Sequence, residues 1–454
     1  MIKKIKIYIT LAAVAFSSVS CLDKYPEDAI PEGDAIRTVE EANQAVIGIY
    51  AYMKNPNLYS GLLTLLPDLQ ADLAYAVEGY TNTYGNIWRW DILPTNTEVE
   101  AVYGTLNALI GKCNFLLERI AVLEQEVDDE DYEKLQQFKG EALFARALSY
   151  SDLIKMYCKA YDPATAADEL GVVLVSSYSN AGTLKRASLK DSYQFVLDDL
   201  AQSATCLKPD ENENDESYYD TLYFTIYAVN ALYARVYLNM QEWDKAIEYA
   251  SKVIDSRKFK LSSTTEMIDS ETSYYQYMWQ YDHSTETIWK VGFTTTSYGG
   301  SLGQIFFNYD FNSFKPDYVP AEWVLNLYAD TDLRATTFFQ FYRTGYEHGL
   351  QWPLLAKYFG NQEFYEQNIL HVTMPKVFRL SEQYLIRAEA YCQKSNPEYG
   401  KGANDLTTLR QARYSNYGSA SLTEENWFKE ISEERVRELY MEGFRLNDLK
   451  RWGQ

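Results

Sequence analysis

Three glutamates set four apart, Glu434, Glu438 and Glu442, are the first grouping in this 454-residue chain that could do chemistry. Paired carboxylates perform general acid and base work, as in glycoside hydrolysis. Here the spacing would put all three on one helical face, where like charges repel unless basic groups intervene. Arg435, Arg437, Arg445 and Arg451 are available within the same string, "EERVRELYMEGFRLNDLKRW". The string therefore reads as a structural ion-pair network fixing the last hairpin. Glu434, Glu438 and Glu442 with Arg435, Arg437, Arg445 and Arg451 are its expected members, and Gly443 is expected to end the helix in the left-handed conformation that glycine tolerates.

The histidines add no site. His283, His348 and His371 are scattered, without a nucleophile–base pairing, metal-ligand spacing or phosphate-cradling glycine loop beside them. The acidic stretch "PDENENDESYYD" (209–220) is not an EF-hand, because Asp215 sits where glycine is needed and Thr221 where the closing glutamate belongs. It reads as a solvated turn. No metal, no cofactor and no catalytic activity are expected. Cys113, Cys158, Cys206 and Cys392 form no C-x-x-C pair and read as small core residues, with disulfides as the alternative in an exported chain.

The fifth cysteine differs. "MIKKIK" is followed by an apolar run from Ile7 to Phe16 and then by Ser17, Ser18, Val19 and Ser20, the order of an export leader over residues 1–20. That run is about half of what spans a bilayer as a helix. Ser20 directly before Cys21 resembles the lipobox of bacterial lipoproteins, in which the cysteine is acylated, although Ser18 stands where Leu or Val is usual. A plain secreted protein is the alternative. Residues 21–37 read as a tether. The whole chain carries 42 basic and 64 acidic residues, a net charge of −22. A phosphate backbone would be repelled, so nucleic acid is excluded as a partner; an anionic lipid surface would be too, so membrane association rests on the anchor.

The elements that must position all this are mostly helical. Thr38 with Glu41 has capping-box form, and Val39, Ala42, Val46, Ile49, Tyr50 and Met53 then trace one face. Further stripes run from Val99 to Ile120 and from Leu135 to Met156, and Ser188 with Asp191 caps a helix carrying Tyr193, Val196, Leu197 and Leu200. Ala234, Tyr237, Trp243, Ala246, Ala250 and Val253 follow tetratricopeptide-like spacing, in which small residues let two antiparallel helices approach. A second copy begins at "YLIRAEAYCQ" with Ala388 and Tyr391, and its partner helix arrives late, so a longer turn is expected there.

The expected fold is mainly α: a tetratricopeptide-like helical-repeat scaffold with an irregular, aromatic-rich insertion and minor β-strands. An N-terminal helical region covers 38–256, the insertion 257–375 and a C-terminal helical region 376–454, packed as one unit. Within the insertion "ETIWKVGF" alternates like a strand and "TTTSYGGSLGQ" reads as a mobile loop. Trp279, Trp289, Tyr298, Phe306, Phe307, Tyr309, Phe311, Phe314, Trp323 and Trp352 crowd the same stretch.

Several strings resemble one family, the SusD/RagB outer-membrane lipoproteins of Bacteroidetes. "CLDKYPED" is similar to its mature start, and "GEALFARALSYSDLIKMYCKAYDP" to an N-terminal helix, through Glu141, Ala142 and Arg146. "LYADTDLRATTFF" matches through Tyr328, Asp332 and Arg334, and "RLSEQYLIRAEA" through Arg379, Glu382, Tyr384, Ala388 and Glu389. The C-terminal string is the most specific, through Glu434, Arg435, Glu438, Gly443, Arg445, Asp448, Arg451 and Trp452, which the resemblance marks as a structural motif. Family members usually run on past its Arg-Trp-Gly, whereas this sequence stops at Gln454.

The resemblance implies a surface lipoprotein of the outer membrane that captures a nutrient and passes it to a SusC-type TonB-dependent transporter without cleaving it. Sugars present apolar C–H faces ringed by hydroxyls, which suit tyrosine and tryptophan rings. By region, Trp88, Trp90 and Tyr298 are the first ligand-binding candidates, then Tyr84, Phe306 and Tyr309; each has an ordinary core role as its alternative. A glycan is the expected ligand. The alternatives are a peptide-binding RagB-like protein with the same transporter, or a helical-repeat scaffold that binds another protein.

Overall fold

The computed structural model describes residues 35–78, 82–178, 184–207, 222–309, 311–346, 349 and 351–454. The leader, Cys21, nearly all of the tether, the acidic loop and His348 lie outside the described residues. No helix among the described residues is long and apolar enough to cross a membrane.

The expected helices form. Val39–Tyr52 starts where Thr38 accepts the N–H of Glu41, and Leu189–Cys206 where Ser188 accepts that of Asp191. The two long stripes become Thr97–Leu123 and Asp129–Tyr157, packed side by side, with Leu189–Cys206 on the other flank of the second. Asp129–Tyr157 is the central pillar, and every residue from Gly140 to Ile154 is buried. Its three buried charged residues are all matched. Glu141 accepts from the Tyr50 hydroxyl at 2.7 Å and Asp152 from that of Tyr59 at 2.7 Å. Arg146 forks onto Asp199 at 2.8 and 2.6 Å. A buried charge left without such a partner costs several kcal/mol.

The two repeat hairpins are Ile226–Asn239 with Trp243–Ile254, and Leu380–Gln393 with Tyr399–Gln411. They stack: Ile226–Asn239 and Trp243–Ile254 pack on Leu380–Gln393 through Ala234, Ala246, Ala250, Ile386 and Ala390, the alanines small enough to bring the backbones close. The second turn spans 394–398 against 240–242 in the first, as its late register implies. Arg235 joins the two hairpins, forking onto Glu382 at 2.6 and 2.7 Å.

Four short antiparallel strand pairs complete the chain among the described residues. Thr287–Lys290 pairs with Lys376–Arg379 and is buried along its whole length rather than alternating. The glycine loop after it is anchored: a Cβ on Gly299 would lie 2.5 Å from both the Lys54 carbonyl and the Ser60 hydroxyl. Cys113, Cys158 and Cys392 are buried and Cys206 half-buried, all as free thiols.

The C-terminal string is a network, but a different one from that expected. Its helix ends at Leu439, so Glu442 reaches in from the following turn instead of sharing the helical face. Gly443 is left-handed at φ 83° but lies beyond the helix end; its N–H donates to Asp68 Oδ2 at 2.8 Å, and a Cβ would meet the Thr64 carbonyl at 3.0 Å. Most of the cations that separate the glutamates come from far away in sequence. Glu434 takes Arg334 at 2.7 Å and Arg410 at 2.7 Å as well as its neighbour Arg437 at 2.9 Å. Glu438 takes Arg379 at 2.7 Å, Arg413 at 2.9 Å and Arg334 at 3.0 Å. Arg435 and Arg451 instead close on Asp448, Arg451 and Trp452 also reach Glu389, and Arg445 pairs with Asp72.

Burial opposes ionisation of Glu434, yet Arg334, Arg437 and Arg410 outweigh it and hold the carboxyl well below its usual range; Arg413 and Arg379 do the same for Glu438. A carboxyl depressed in the fold contributes stability above its unfolded value, about 4.3, and loses it as pH falls toward the folded value. The urea midpoint should therefore fall steadily as pH is lowered below about 5. Glu438→Ala should cost about 3–5 kcal/mol at pH 7, because it takes a shared carboxylate from three buried guanidinium groups.

Candidate functional site

The strand Ala74–Ala76 pairs with Tyr318–Pro320, and this short ribbon gathers four tryptophans from three parts of the chain. Trp90 Nε1–H donates to the Gln70 carbonyl at 2.6 Å and Trp323 to that of Asp72 at 2.7 Å. Trp88 donates to Ala74 at 3.0 Å and Trp352 to Pro320 at 2.8 Å. Indole has a single donor and no acceptor. With that donor tied to backbone, each ring offers a neighbour only its apolar, electron-rich face. Trp90 is 63% exposed and Tyr75, on the outward side of the strand, 45%. Trp88, Trp323 and Trp352 are half-buried.

The segment carrying Trp88 and Trp90 is held under strain. Asn82, Tyr84 and Trp90 have φ of 56°, 58° and 61°. For bulky residues this conformation costs about 1–3 kcal/mol each and persists only where surrounding contacts enforce it. Those contacts are the Asn82 N–H on Asp317 Oδ1 at 3.1 Å and the Tyr318 hydroxyl on the Thr83 carbonyl at 2.7 Å. On the other side of the ribbon the Arg445 guanidinium lies 5.4 Å from the Trp323 ring centre while it forks onto Asp72 at 2.8 Å twice. The C-terminal string thus reaches the platform.

A second aromatic group borders the first. Tyr309 stacks on Phe314 at 4.5 Å, and Phe311 beside it is 60% exposed. Hydrogen bonds from Lys315 to the Phe307 carbonyl and from Asp317 to that of Ile305, both 2.8 Å, fold this loop back beside Asn82 and Tyr84. Burial raises the Tyr84 hydroxyl above its ordinary range, with Glu98 adding to it.

Of the residues chosen from sequence, the fold brings Trp88, Trp90, Tyr84 and Tyr309 to this one region. Phe306 is a correction: it is 1% exposed and stacks 6.2 Å from Tyr358, so it is core and presents no ring. Tyr298 is 46% exposed but sits elsewhere, with its neighbour Ser297 bound by Lys54 at 3.0 Å and its ring 6.3 Å from Phe364. Tyr75, Trp323 and Trp352 were not singled out. The two tryptophans stood in the aromatic crowd of the insertion, and no periodicity there tells which rings face outward. Trp352 also leads into an open groove of about 490 Å³ lined by Leu325, Tyr328, Phe339 and Phe341.

His371 is a core residue: it stacks 4.9 Å from Phe307, its Nδ1 meets the Phe359 carbonyl at 2.9 Å, and burial lowers its pKa. His283 lies 6.0 Å from the Tyr277 ring. Among the described residues no three His, Cys, Asp or Glu side chains converge as a metal site.

Comparison with known proteins places this geometry. The profile of the SusD family matches residues 210–454, more than half the chain. The chain belongs to the SusD family. A second SusD-like profile, described as starch-binding and associating with the outer membrane, matches residues 22–238. The SusD-like protein P25 of Formosa agariphila is 22% identical over the whole of this chain and 90% of its own length. A SusD superfamily protein from Bacteroides thetaiotaomicron superposes with a TM-score of 0.77 at 23% identity, covering 92% of this chain and 89% of that one. A putative sugar binding protein from Bacteroides vulgatus gives 0.75 at 25% identity over 92% and 88%. The SusD fold therefore accounts for the helical scaffold.

Two substitutions separate core from platform. Phe306→Ala should lower unfolding stability by about 3–5 kcal/mol in urea, whereas Trp90→Ala should change it by less than about 1 kcal/mol.

Proposed function

We propose that this SusD-family chain captures a carbohydrate on the tryptophan-lined ribbon at the cell surface and hands it, uncleaved, to a SusC-type TonB-dependent transporter. The observation that carries the reading is that four indole N–H groups are already bonded to backbone carbonyls around the ribbon. What remains is ring face, the complement of a pyranose C–H face. A peptide backbone would instead seek unpaired donors, and these indoles have none left. The description of the family as starch-binding and outer-membrane associated, and the sugar-binding relative from Bacteroides vulgatus, support the same class of ligand. The strained Tyr84–Trp90 segment supports it too, because strain kept at an exposed aromatic site marks a preorganised clamp.

Capture and release call for modest affinity, and stacking on a few rings supplies about 0.5–1.5 kcal/mol each beyond the area buried. Acylation of Cys21 would hold the platform at the outer membrane; one chain binds a bilayer marginally, and two or more bind it firmly.

Affinity electrophoresis against a glycan panel tests the ligand class. At least one polysaccharide should retard the protein, and Trp90→Ala or Trp323→Ala should weaken retention about tenfold, the equivalent of about 1.4 kcal/mol. Tyr298→Ala should leave it nearly unchanged. Retention that survives both tryptophan substitutions would remove the ribbon as the site. For the anchor, Cys21→Ser should move the protein from the membrane fraction to the soluble fraction and abolish labelling with a fatty-acid probe.

A further inference from the structure

Away from the ribbon, a cavity of about 40 Å³ lies where Asp129–Tyr157, Ile226–Asn239 and the strand Lys376–Arg379 meet. That is room for about three water-sized centres. Asp152, Lys155, Arg235, Trp279, Lys376 and Glu442 are among its walls. Most of the charged walls are matched. Arg235 forks onto Glu382, Lys376 Nζ meets Asp282 at 2.6 Å, and Glu442 takes Lys357 at 2.6 Å and Arg379 at 2.7 Å. Asp152 accepts the Tyr59 hydroxyl at 2.7 Å.

Two donors remain. Lys155 Nζ has no protein acceptor; the contact it makes is with the Phe444 ring, 5.7 Å away. Trp279 is 4% exposed, and its Nε1–H is buried without a partner. Its ring cannot turn to find one, because Lys357 Nζ at 4.1 Å and Lys376 Nζ at 4.8 Å are held against it. A buried donor left unsatisfied costs about 1–3 kcal/mol, so the Trp279 indole N–H, on a small cavity that the half-buried Lys155 also lines, calls for an occupant that accepts hydrogen bonds.

We propose that this cavity binds a small monovalent anion, of the size of chloride, between Lys155 Nζ and the Trp279 Nε1–H. Charge favours an anion over water. Burial pushes the Asp152 carboxyl up, with Lys155 and the Tyr59 hydroxyl acting against it. Burial also pulls Lys155 down, Asp152, Asp68 and Glu382 act against it, and an adjacent anion would further favour its charged form. The volume excludes a sugar ring. The site is separate from the aromatic ribbon and does not depend on the carbohydrate reading. Its occupant would tie the pillar helix to the insertion, because Lys155 belongs to the first and Trp279 to the second.

Bromide is the probe. Crystals of the protein soaked in sodium bromide should show an anomalous peak in contact with both Lys155 Nζ and Trp279 Nε1. In solution, chloride or bromide should raise the thermal midpoint by about 2 °C over gluconate at equal ionic strength. Lys155→Met and Trp279→Phe should each remove that difference. A cavity holding only water in the bromide soak, or a midpoint equal in halide and gluconate, would overturn the proposal. If either variant fails to fold, the bromide map of the native chain decides it alone.

Discussion

Glu438, a carboxylate with no exposure to water, is touched by the guanidinium groups of Arg334, Arg379 and Arg413, and this cluster joins elements that lie far apart in the sequence. Arg334 comes from the insertion, Arg379 from a buried strand and Arg413 from just beyond the second repeat hairpin. Glu434 and Glu286 extend the cluster, and Glu442 carries it to Lys357. Such a network is a poor source of net stability, because desolvation consumes most of the attraction. It is a strong source of uniqueness. Any displaced strand or hairpin would leave a charge unmatched, so the irregular insertion can have one position against the helical repeats. One strand of the ribbon that collects the tryptophans, Tyr318–Pro320, is part of that insertion, and Arg445 carries the ionic ties to the ribbon's edge.

How much of this the sequence shows depends on the range of the interaction. Helices announce themselves locally: Ser188 caps its own helix, and alanines at repeat spacing pack where that spacing puts them. The network is only half legible. Glu434 and Glu438 need counter-charges, and the nearest candidates in the chain were Arg435, Arg437, Arg445 and Arg451. Of these only Arg437 serves, because the helix turns the rest toward Asp448, Glu389 and Asp72. The motif residues Arg334 and Arg379 carried the missing information, though nothing local connects them to the C-terminal glutamates.

The aromatic face shows the same limit more sharply. Burial of a ring in a non-periodic stretch is decided by which loop folds over it. Phe306 and Tyr309 lie three apart; the first is core, and the second stacks at the border of the platform. Trp323 and Trp352 reach the ribbon through single hydrogen bonds to Asp72 and Pro320, contacts with no trace in spacing. Trp88 and Trp90 were legible because they stand in a short segment between helices, where rings have less core to fill.

The account turns on ring faces that are free because their N–H groups are not. A crystal structure with an oligosaccharide from a polysaccharide that the protein retains tests this most directly. It should show pyranose rings stacked on Trp90 and its neighbours along the ribbon, with carbon–carbon contacts near 4 Å and the indole hydrogen bonds to Gln70 and Asp72 intact. A sugar bound away from the ribbon, or one that takes the indole N–H groups for its hydroxyls, would contradict it.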